Sequence, residues 1–180
     1  RLLSLMISLV LVVGFNIQST AQDEPIKRKR TLTHHMSPEE KAQFHTVGKG
    51  FLETDPPPGV IHNIAEFEQM EGVLVGYPGN FGISYTLIAA MSQEIPVTTI
   101  VENNNQLNYV TNQYQSNGVN MANTNFLVTA LDSYWTRDYG PWYIRYGDDQ
   151  IGIMDFIYNR PNRPNDNAVP PQMAEYLGIE

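Results

Sequence analysis

Apolar and polar positions divide the chain into three stretches. Residues 2–13 are almost entirely apolar, residues 22–58 are mostly polar, and short apolar runs return from about residue 60 onward. Three of these later runs are rich in aliphatic residues and predict buried strands: residues 72–78, 96–101 and 126–131. In the gaps between them, apolar residues recur every three or four positions over about 83–93 and 107–114, which predicts one helix in each gap.

This alternation of strands and helices favours crossover connections and at least some parallel pairing. Farther along, residues 142–146 alternate, residues 147–149 have a turn composition and residues 151–157 are mostly apolar, which predicts an antiparallel hairpin. The fold class is therefore mixed α/β. Strand–helix–strand units that recur every 30–50 residues or so would also suit a fold of repeated modules.

The N-terminal apolar run has the features of a secretory signal peptide. A positive residue, Arg1, precedes the run, and the small residues Ser19 and Ala21 stand where a signal peptidase would cleave. The sequence therefore predicts a signal peptide over residues 1–21 and a secreted, periplasmic or cell-surface protein. A buried helix of a cytosolic domain is the alternative interpretation.

Two further divisions follow from composition. Residues 22–58 predict a polar N-terminal segment or linker, which contains a short helix capped by Ser37 and ends at a proline-rich breaker. Residues 59–180 predict the beginning of a globular domain. The sequence starts without Met and stops at residues 177–180 within an apolar helical pattern, so we expect it to be part of a longer protein.

Charge and composition exclude several classes of function. The chain has 11 Lys and Arg against 19 Asp and Glu, a net charge of −8, which argues against a general nucleic-acid binder. The basic run at residues 27–30 is interpreted as a solvated tail, and no apolar run reaches the roughly 18 residues of a membrane span. There are no cysteines, so disulfides, thiolate metal sites and a thiol nucleophile are excluded within this stretch. The four histidines have no metal-like spacing, and the sequence predicts no metal and no cofactor.

The densest chemistry lies in residues 132–142, directly after a predicted strand. Two acids, an arginine and several aromatic residues in one short segment make a poor core strand, because buried charges need partners. One interpretation is a structural turn in which Arg137 pairs with Asp132 or Asp138. The other is a site for a cationic ligand, in which Asp138 accepts two hydrogen bonds from a planar guanidinium and the Trp135 indole offers a cation–π face.

Three segments resemble one known family. Residues 135–141, W-T-R-D-Y-G-P, are similar to the W-x-R-D-x-G-P signature of the agmatine deiminase and Porphyromonas-type peptidylarginine deiminase family. Residues 66–73 resemble the opening segment of that family, and residues 155–166, which include N-R-P-N-R-P-N, are similar to its bacterial peptidylarginine deiminase branch. The resemblance covers about residues 60–180.

The resemblance implies a pentein fold, a ring of ββαβ modules around a central active site, of which this chain would hold the first two modules or so. It also implies hydrolysis of a guanidinium by a cysteine, a histidine and two carboxylates. By the same resemblance, Asp138 is the first guanidinium-binding carboxylate and Trp135 packs along the substrate side chain. Arg160, with Arg163, is predicted to bind a peptide carboxylate, because the prolines of the N-R-P-N-R-P segment stiffen the loop that presents both side chains. The sequence departs from the branch by one extra residue between the two arginines, and in the family the cysteine, histidine and second carboxylate lie downstream. We therefore expect this stretch alone to be inactive.

Three functions remain open from the sequence. The first is a peptidylarginine deiminase acting on arginine-containing peptides or proteins, and the second is an agmatine deiminase of putrescine biosynthesis. The third, of another class, is a non-catalytic module that binds a guanidinium. An ion pair of Arg160 with Asp155 or Asp166 is the structural alternative to a carboxylate-binding role for that arginine.

Overall fold

The computed structural model describes residues 32–179. The predicted signal peptide and the basic run at residues 27–30 lie outside the described residues. Within this range the chain forms six strands: β1 (Ile61–Asn63), β2 (Val73–Tyr77), β3 (Val97–Val101), β4 (Thr124–Val128), β5 (Trp142–Tyr146) and β6 (Gln150–Met154). The same range contains six α-helices: α1 (Pro38–Gln43), α2 (Tyr85–Glu94), α3 (Asn104–Ser116), α4 (Thr136–Tyr139), α5 (Pro164–Asn167) and α6 (Val169–Leu177).

The predicted strand–helix alternation produces a three-stranded parallel sheet. Its order is β2-β3-β4, and helices α2 and α3 make the two crossovers, so the prediction of parallel pairing is confirmed. The central strand β3 is covered on both faces, and Val97, Ile100 and Val101 have no exposed surface. This burial on both faces explains why the strand consists of β-branched residues without polar alternation.

The second sheet is antiparallel and has the order β1-β5-β6. Strands β5 and β6 form the predicted hairpin, although β6 ends at Met154 and the chain then continues as a loop toward residue 160. Strand β1 was not predicted, because it has only three residues and all three are exposed. Neither sheet closes on itself within residues 32–179, so the structure shows a mixed α/β fold and not the ring of modules.

Two boundaries differ from the sequence expectation, and both have a local cause. Strand β4 ends at Val128, so residues 129–131 already belong to the loop, where Leu131 turns inward and is 1% exposed. At the other end, helix α6 stops at Leu177 because Gly178 adopts the left-handed conformation with φ 67°. The apolar helical pattern that the sequence suggested at residues 177–180 is therefore helical only as far as Leu177 within the described residues.

The parallel sheet separates two hydrophobic clusters. One lies between the sheet and helices α2 and α3 and includes Ile88, Val110 and Tyr114. The other lies on the opposite face, beneath the loop after β4 and helix α6, and includes Leu127, Leu131, Tyr139, Tyr158, Val169 and Met173. The second cluster thus anchors the segment in which the sequence placed the chemistry. No helix in the described part of the chain is long and apolar enough to cross a bilayer.

The first cluster contains a buried polar contact that can be tested. The hydroxyls of Thr99 and Tyr114 lie 2.8 Å apart, and both residues are fully buried. Tyr114→Phe should lower the free energy of unfolding by about 1–2 kcal/mol, because the Thr99 hydroxyl loses its partner. Urea denaturation measures this loss. Tyr176→Phe on the exposed side of α6 is the matched control and should change stability by less than about 0.5 kcal/mol.

Candidate functional site

The loop after β4 is the scaffold of the candidate site. Trp135 stands at the start of helix α4, and its carbonyl accepts a hydrogen bond of 2.8 Å from the amide of Asp138. The helix has only four residues and ends at Gly140, where φ is 89°. A side chain at Gly140 would be strained at this φ and would lie 2.9 Å from the Trp142 ring, so glycine is required at this position.

The same loop packs tightly on the parallel sheet. Gly76 of strand β2 has no side chain, and a Cβ there would lie 2.9 Å from Leu131 and 3.3 Å from the Tyr139 hydroxyl. Tyr139 is buried and donates a hydrogen bond of 3.1 Å to the Ser133 carbonyl, and burial raises its pKa. The loop that carries Trp135 and Asp138 is therefore packed closely against strand β2 of the parallel sheet.

A buried carboxylate fixes the beginning of this loop. Asp166 of helix α5 has no exposed surface and accepts hydrogen bonds from the amides of Asp132 and Ser133, at 2.8 and 2.9 Å. It also accepts one of 2.6 Å from the Ser133 hydroxyl. Burial raises the pKa of Asp166, and the bonds from Ser133 and Asp132 oppose that rise.

Asp132 forms hydrogen bonds in the opposite direction, from the loop to helix α5. Its carboxylate accepts bonds of 2.9 Å from the Asn165 amide and 3.0 Å from the Asn165 side chain. The two aspartates thus join the loop after β4 to the turn after residue 160, across more than 30 positions of sequence. The loop that leads into residues 135–141 is thereby joined to the end of the segment at residues 155–166.

The partner of Arg137 differs from both candidates that the sequence offered. Its guanidinium forms an ion pair with Glu66, and both side chains are exposed. Glu66 belongs to the segment that resembles the family's opening motif, so two of the three motif segments touch. An exposed pair of this kind contributes little stability, about 0–1 kcal/mol.

Arg160 is buried and is paired with an acid from the N-terminal segment. Its Nε lies 2.8 Å from Oε1 of Glu40, and its Nη2 lies 3.0 Å from Oε2, which is a bidentate contact. Arg160 is 7% exposed and Glu40 is 3% exposed. The structural alternative in the sequence was an ion pair of Arg160 with Asp155 or Asp166. The observed partner is Glu40, which the sequence did not predict.

Backbone carbonyls complete the environment of Arg160. Its two terminal nitrogens donate longer bonds to the carbonyls of Thr33, His34 and His35, at 3.3 to 3.5 Å. Arg163 is also buried and lies close by, because it donates to the same Thr33 carbonyl at 3.2 Å and to the Tyr158 hydroxyl at 3.2 Å. Both arginines of the N-R-P-N-R-P segment therefore face residues 33–40 despite the extra residue between them.

Glu40 is held by its own helix as well as by the arginine. Ser37 caps helix α1, and the Ser37 amide donates a bond of 2.8 Å back to Oε2 of Glu40, which makes a capping box. The hydrogen bond from Arg160 lowers the pKa of Glu40, and Glu40 in turn raises the pKa of Arg160. The carboxylate is thus kept ionised and oriented.

The Trp135 ring is covered by an N-terminal residue. Its centroid lies 4.5 Å from the His34 ring, at an interplanar angle of 56°, and 5.0 Å from the Tyr134 ring. The indole nitrogen of Trp135 is buried and has no hydrogen-bond acceptor among the residues that the structure describes. His34 itself is exposed, so it covers the indole from the solvent side.

A groove of about 430 Å³ brings part of the predicted site together. Its walls come from the loop after β4, the loop after β6 and the N-terminal segment: His34, Met36, Arg137, Asp138, Trp142, Ile157, Tyr158, Asn159 and Arg160. Of the four predicted site residues, Asp138 and Arg160 border this groove directly. Trp135 does not border the groove, but its ring contacts His34, which does. Arg163 does not border it either, and it shares the Thr33 carbonyl with Arg160.

Sequence reasoning missed Glu40 and His34. The S-P-E-E sequence at residues 37–40 signals a capping box, and this signal identifies Glu40 as an oriented carboxylate. Nothing in the local pattern indicates that its second partner lies 120 positions away. Within residues 32–179, no three acidic or histidine side chains cluster as a metal site requires.

Comparison with known proteins identifies the family. The model of the Porphyromonas-type peptidyl-arginine deiminase family matches residues 62–180. The chain belongs to this family. The match covers all three motif segments, including the loop after β4 and both arginines of the segment that follows β6.

Solved structures agree with this fold. The chain is similar to the C. jejuni agmatine deiminase, with a TM-score of 0.53 and 17% identity, over 67% of this chain and 38% of that one. It is also similar to a cysteine-to-serine variant of that enzyme with substrate bound, with a TM-score of 0.51 and 17% identity, over 71% and 41% of the two chains. At this identity the likeness concerns the fold alone. The chain spans about two fifths of the length of either structure.

The contact between the two loops yields a testable stability effect. Asp166→Ala removes the acceptor of two buried amides and one hydroxyl, and we expect it to lower the free energy of unfolding by about 3 kcal/mol. Glu175→Ala, on the exposed face of the adjacent helix α6, should change stability by less than about 0.5 kcal/mol. Chemical denaturation of both variants measures the difference, and equal effects would contradict the anchoring role of Asp166.

Proposed function

We propose that this chain is the N-terminal part of a secreted peptidylarginine deiminase. The whole protein hydrolyses the guanidinium of a peptidyl-arginine, preferably at a peptide C-terminus, to citrulline and ammonia. The observation that carries the proposal is that Asp138 and Arg160 border the same groove, in a chain of the peptidyl-arginine deiminase family. A groove with an acid at one point and a buried arginine at another suits a ligand with a guanidinium and a carboxylate.

Asp138 is assigned to the guanidinium. It is exposed to solvent at the groove, on a four-residue helix that is fixed at both ends. A carboxylate can accept two parallel hydrogen bonds from a guanidinium, which orients the cation and stabilises its charge during attack. Trp135 supplies the flat apolar face along which the arginine side chain packs.

Arg160, with Arg163 behind it, is assigned to the substrate carboxylate. Its guanidinium binds the Glu40 carboxylate in a bidentate manner, so it has the geometry to bind a substrate carboxylate in the same way once Glu40 is displaced. An arginine fork discriminates strongly between a carboxylate and a neutral amide, because the amide leaves part of a buried charge unpaired. This supports a preference for C-terminal arginine.

The remaining catalytic groups are proposed to lie outside these 180 residues. The chain has no cysteine, so the thiolate that attacks the guanidinium carbon must come from the rest of the protein, together with the proton-handling histidine and the second carboxylate. The proposal includes the closed ring of modules, to which residues 59–180 contribute the first part. It also includes secretion through the signal peptide at residues 1–21.

Agmatine deiminase is the second candidate. The similar solved structures are agmatine deiminases, although their identity to this chain is low. Agmatine has no carboxylate, so the buried Arg160 at the groove would have no role in binding it. Agmatine as the better substrate of the whole protein would replace the first proposal with this one. Absence of turnover on either substrate, with arginine still bound, would favour a non-catalytic module.

The assignment of Asp138 is tested in the whole protein. Asp138→Asn should retain the fold and lower kcat/KM for a peptidyl-arginine by at least about 10³-fold, because an amide carries no charge to match the guanidinium. Release of citrulline and ammonia measures the activity, and the unfolding midpoint monitors the fold. Asp148→Asn, in the exposed turn between β5 and β6, is the charge-matched control and should remain active.

The assignment of Arg160 is tested by the ratio of kcat/KM between a peptide with a free C-terminal carboxylate and its amide. Arg160→Ala should lower the kcat/KM for a peptide that ends in free arginine, relative to the same peptide amidated, by about 30- to 150-fold. The ratio is the informative quantity because Arg160 also holds Glu40, and loss of that contact alters access for both peptides alike. Arg145→Ala, in the exposed hairpin, should leave the ratio unchanged. An unchanged ratio in Arg160→Ala would show that Arg160 supports only the fold.

A further inference from the structure

The N-terminal segment, residues 33–40, lies on the groove that the proposed function assigns to substrate. His34 and Met36 form part of the groove wall, and Glu40 is bound to Arg160. The segment belongs to the polar region before the domain, and its contacts join it to residues that follow more than 90 positions later. It therefore covers residues of the later part of the chain that border the groove.

Glu40 matches the proposed ligand in chemistry. Its carboxylate accepts two hydrogen bonds from the Arg160 fork, at 2.8 and 3.0 Å, as the C-terminal carboxylate of a peptide would. The carbonyls of Thr33, His34 and His35 satisfy the remaining arginine nitrogens, as main-chain carbonyls of a bound peptide could. The arginine therefore already has a peptide-like partner from its own chain.

His34 occupies the second part of the same surface. Its ring lies 4.5 Å from the Trp135 ring, where the proposed function packs the aliphatic part of the substrate arginine. An aromatic ring on this indole and an arginine side chain cannot be there together. The two positions that distinguish a C-terminal arginine, its carboxylate and its side chain, are thus both covered.

We infer that residues 33–40 are an internal competitor of the substrate, with Glu40 in place of the substrate carboxylate, and that the segment must leave the groove before substrate binds. The inference rests on the proposed function, because it concerns the same groove. It adds a regulatory segment and a named competing residue to that function.

The attachment of the segment suits reversible release. Helix α1 has six residues, which is too short to be stable without tertiary contacts. Residues 48–56 are exposed, so they connect the segment to the rest of the chain without packing into the hydrophobic clusters. When a segment fills a site for most of the time, the apparent affinity of a ligand falls by the fraction of molecules in which the site is open.

The test compares two adjacent acids in the whole protein. Glu40→Gln weakens the contact with Arg160, whereas Glu39→Gln removes the same charge from an exposed side chain of the same helical turn. Citrulline release is measured with a peptide that ends in free arginine and with its amide. We expect Glu40→Gln to raise kcat/KM for both peptides by about tenfold, with an unchanged ratio between them, and Glu39→Gln to resemble the wild type.

A second measurement uses the wild-type protein and does not depend on turnover. Hydrogen exchange of the amides at residues 38–44 reports helix α1, which should lose protection when Nα-benzoyl-arginine saturates the groove and expels the segment. The amides of strand β3 are the internal control and should not change. Unchanged protection of helix α1 with ligand bound would overturn the inference even if Glu40→Gln failed to fold.

The outcomes separate this inference from the proposed function. Citrulline from the wild type with no gain in Glu40→Gln would overturn the inference and leave the function intact, because Glu40 would then be a permanent structural partner of Arg160. Absence of citrulline from all three proteins would overturn the proposed function, and the inference with it. A gain in Glu40→Gln together with loss of helix protection would support both.

Discussion

Two buried aspartates determine the relation between the loops that form the groove. The carboxylate of Asp166 accepts hydrogen bonds from main-chain amides of the loop after β4, and the carboxylate of Asp132 accepts one from a main-chain amide of helix α5. The donors are main-chain amides but the acceptors are the two aspartate side chains, so the contact between the loops depends on these two residues. The position of both loops at the groove therefore depends on this pair of contacts.

The buried arginines impose the second constraint. A guanidinium that is removed from water needs an anion and several acceptors, or its burial costs several kcal/mol. Here Glu40 and three backbone carbonyls of the N-terminal segment supply them. The domain alone therefore presents an incompletely satisfied cation at residue 160, and any partner that replaces the segment must bring a comparable set of acceptors.

Local patterns in the sequence predicted most of the fold. The β-branched run of β3 and the spacing of Leu107, Val110 and Tyr114 in α3 arise from burial against near neighbours, which a single sequence displays directly. In α2 the sequence located the helix but not its buried face, because Leu87 is exposed and Ile88 is buried. The loop after β4 was located because charged and aromatic residues are costly in a strand. The partners of Arg137 and Arg160 were missed because they lie 71 and 120 positions away, and nothing in the periodicity encodes such distant contacts. The short exposed strand β1 carried no apolar alternation to detect.

The separation between Glu40 and Arg160 also sets an order of events during synthesis. The two residues are 120 positions apart, so at about 5–20 residues per second Glu40 emerges from the ribosome roughly 6–24 s before its partner. Closing so long a loop adds little entropic cost over a shorter one, since that cost grows only with the logarithm of length. The rate of translation therefore sets the delay. The N-terminal segment is accessible to processing factors until residue 160 has been synthesised and can bind Glu40.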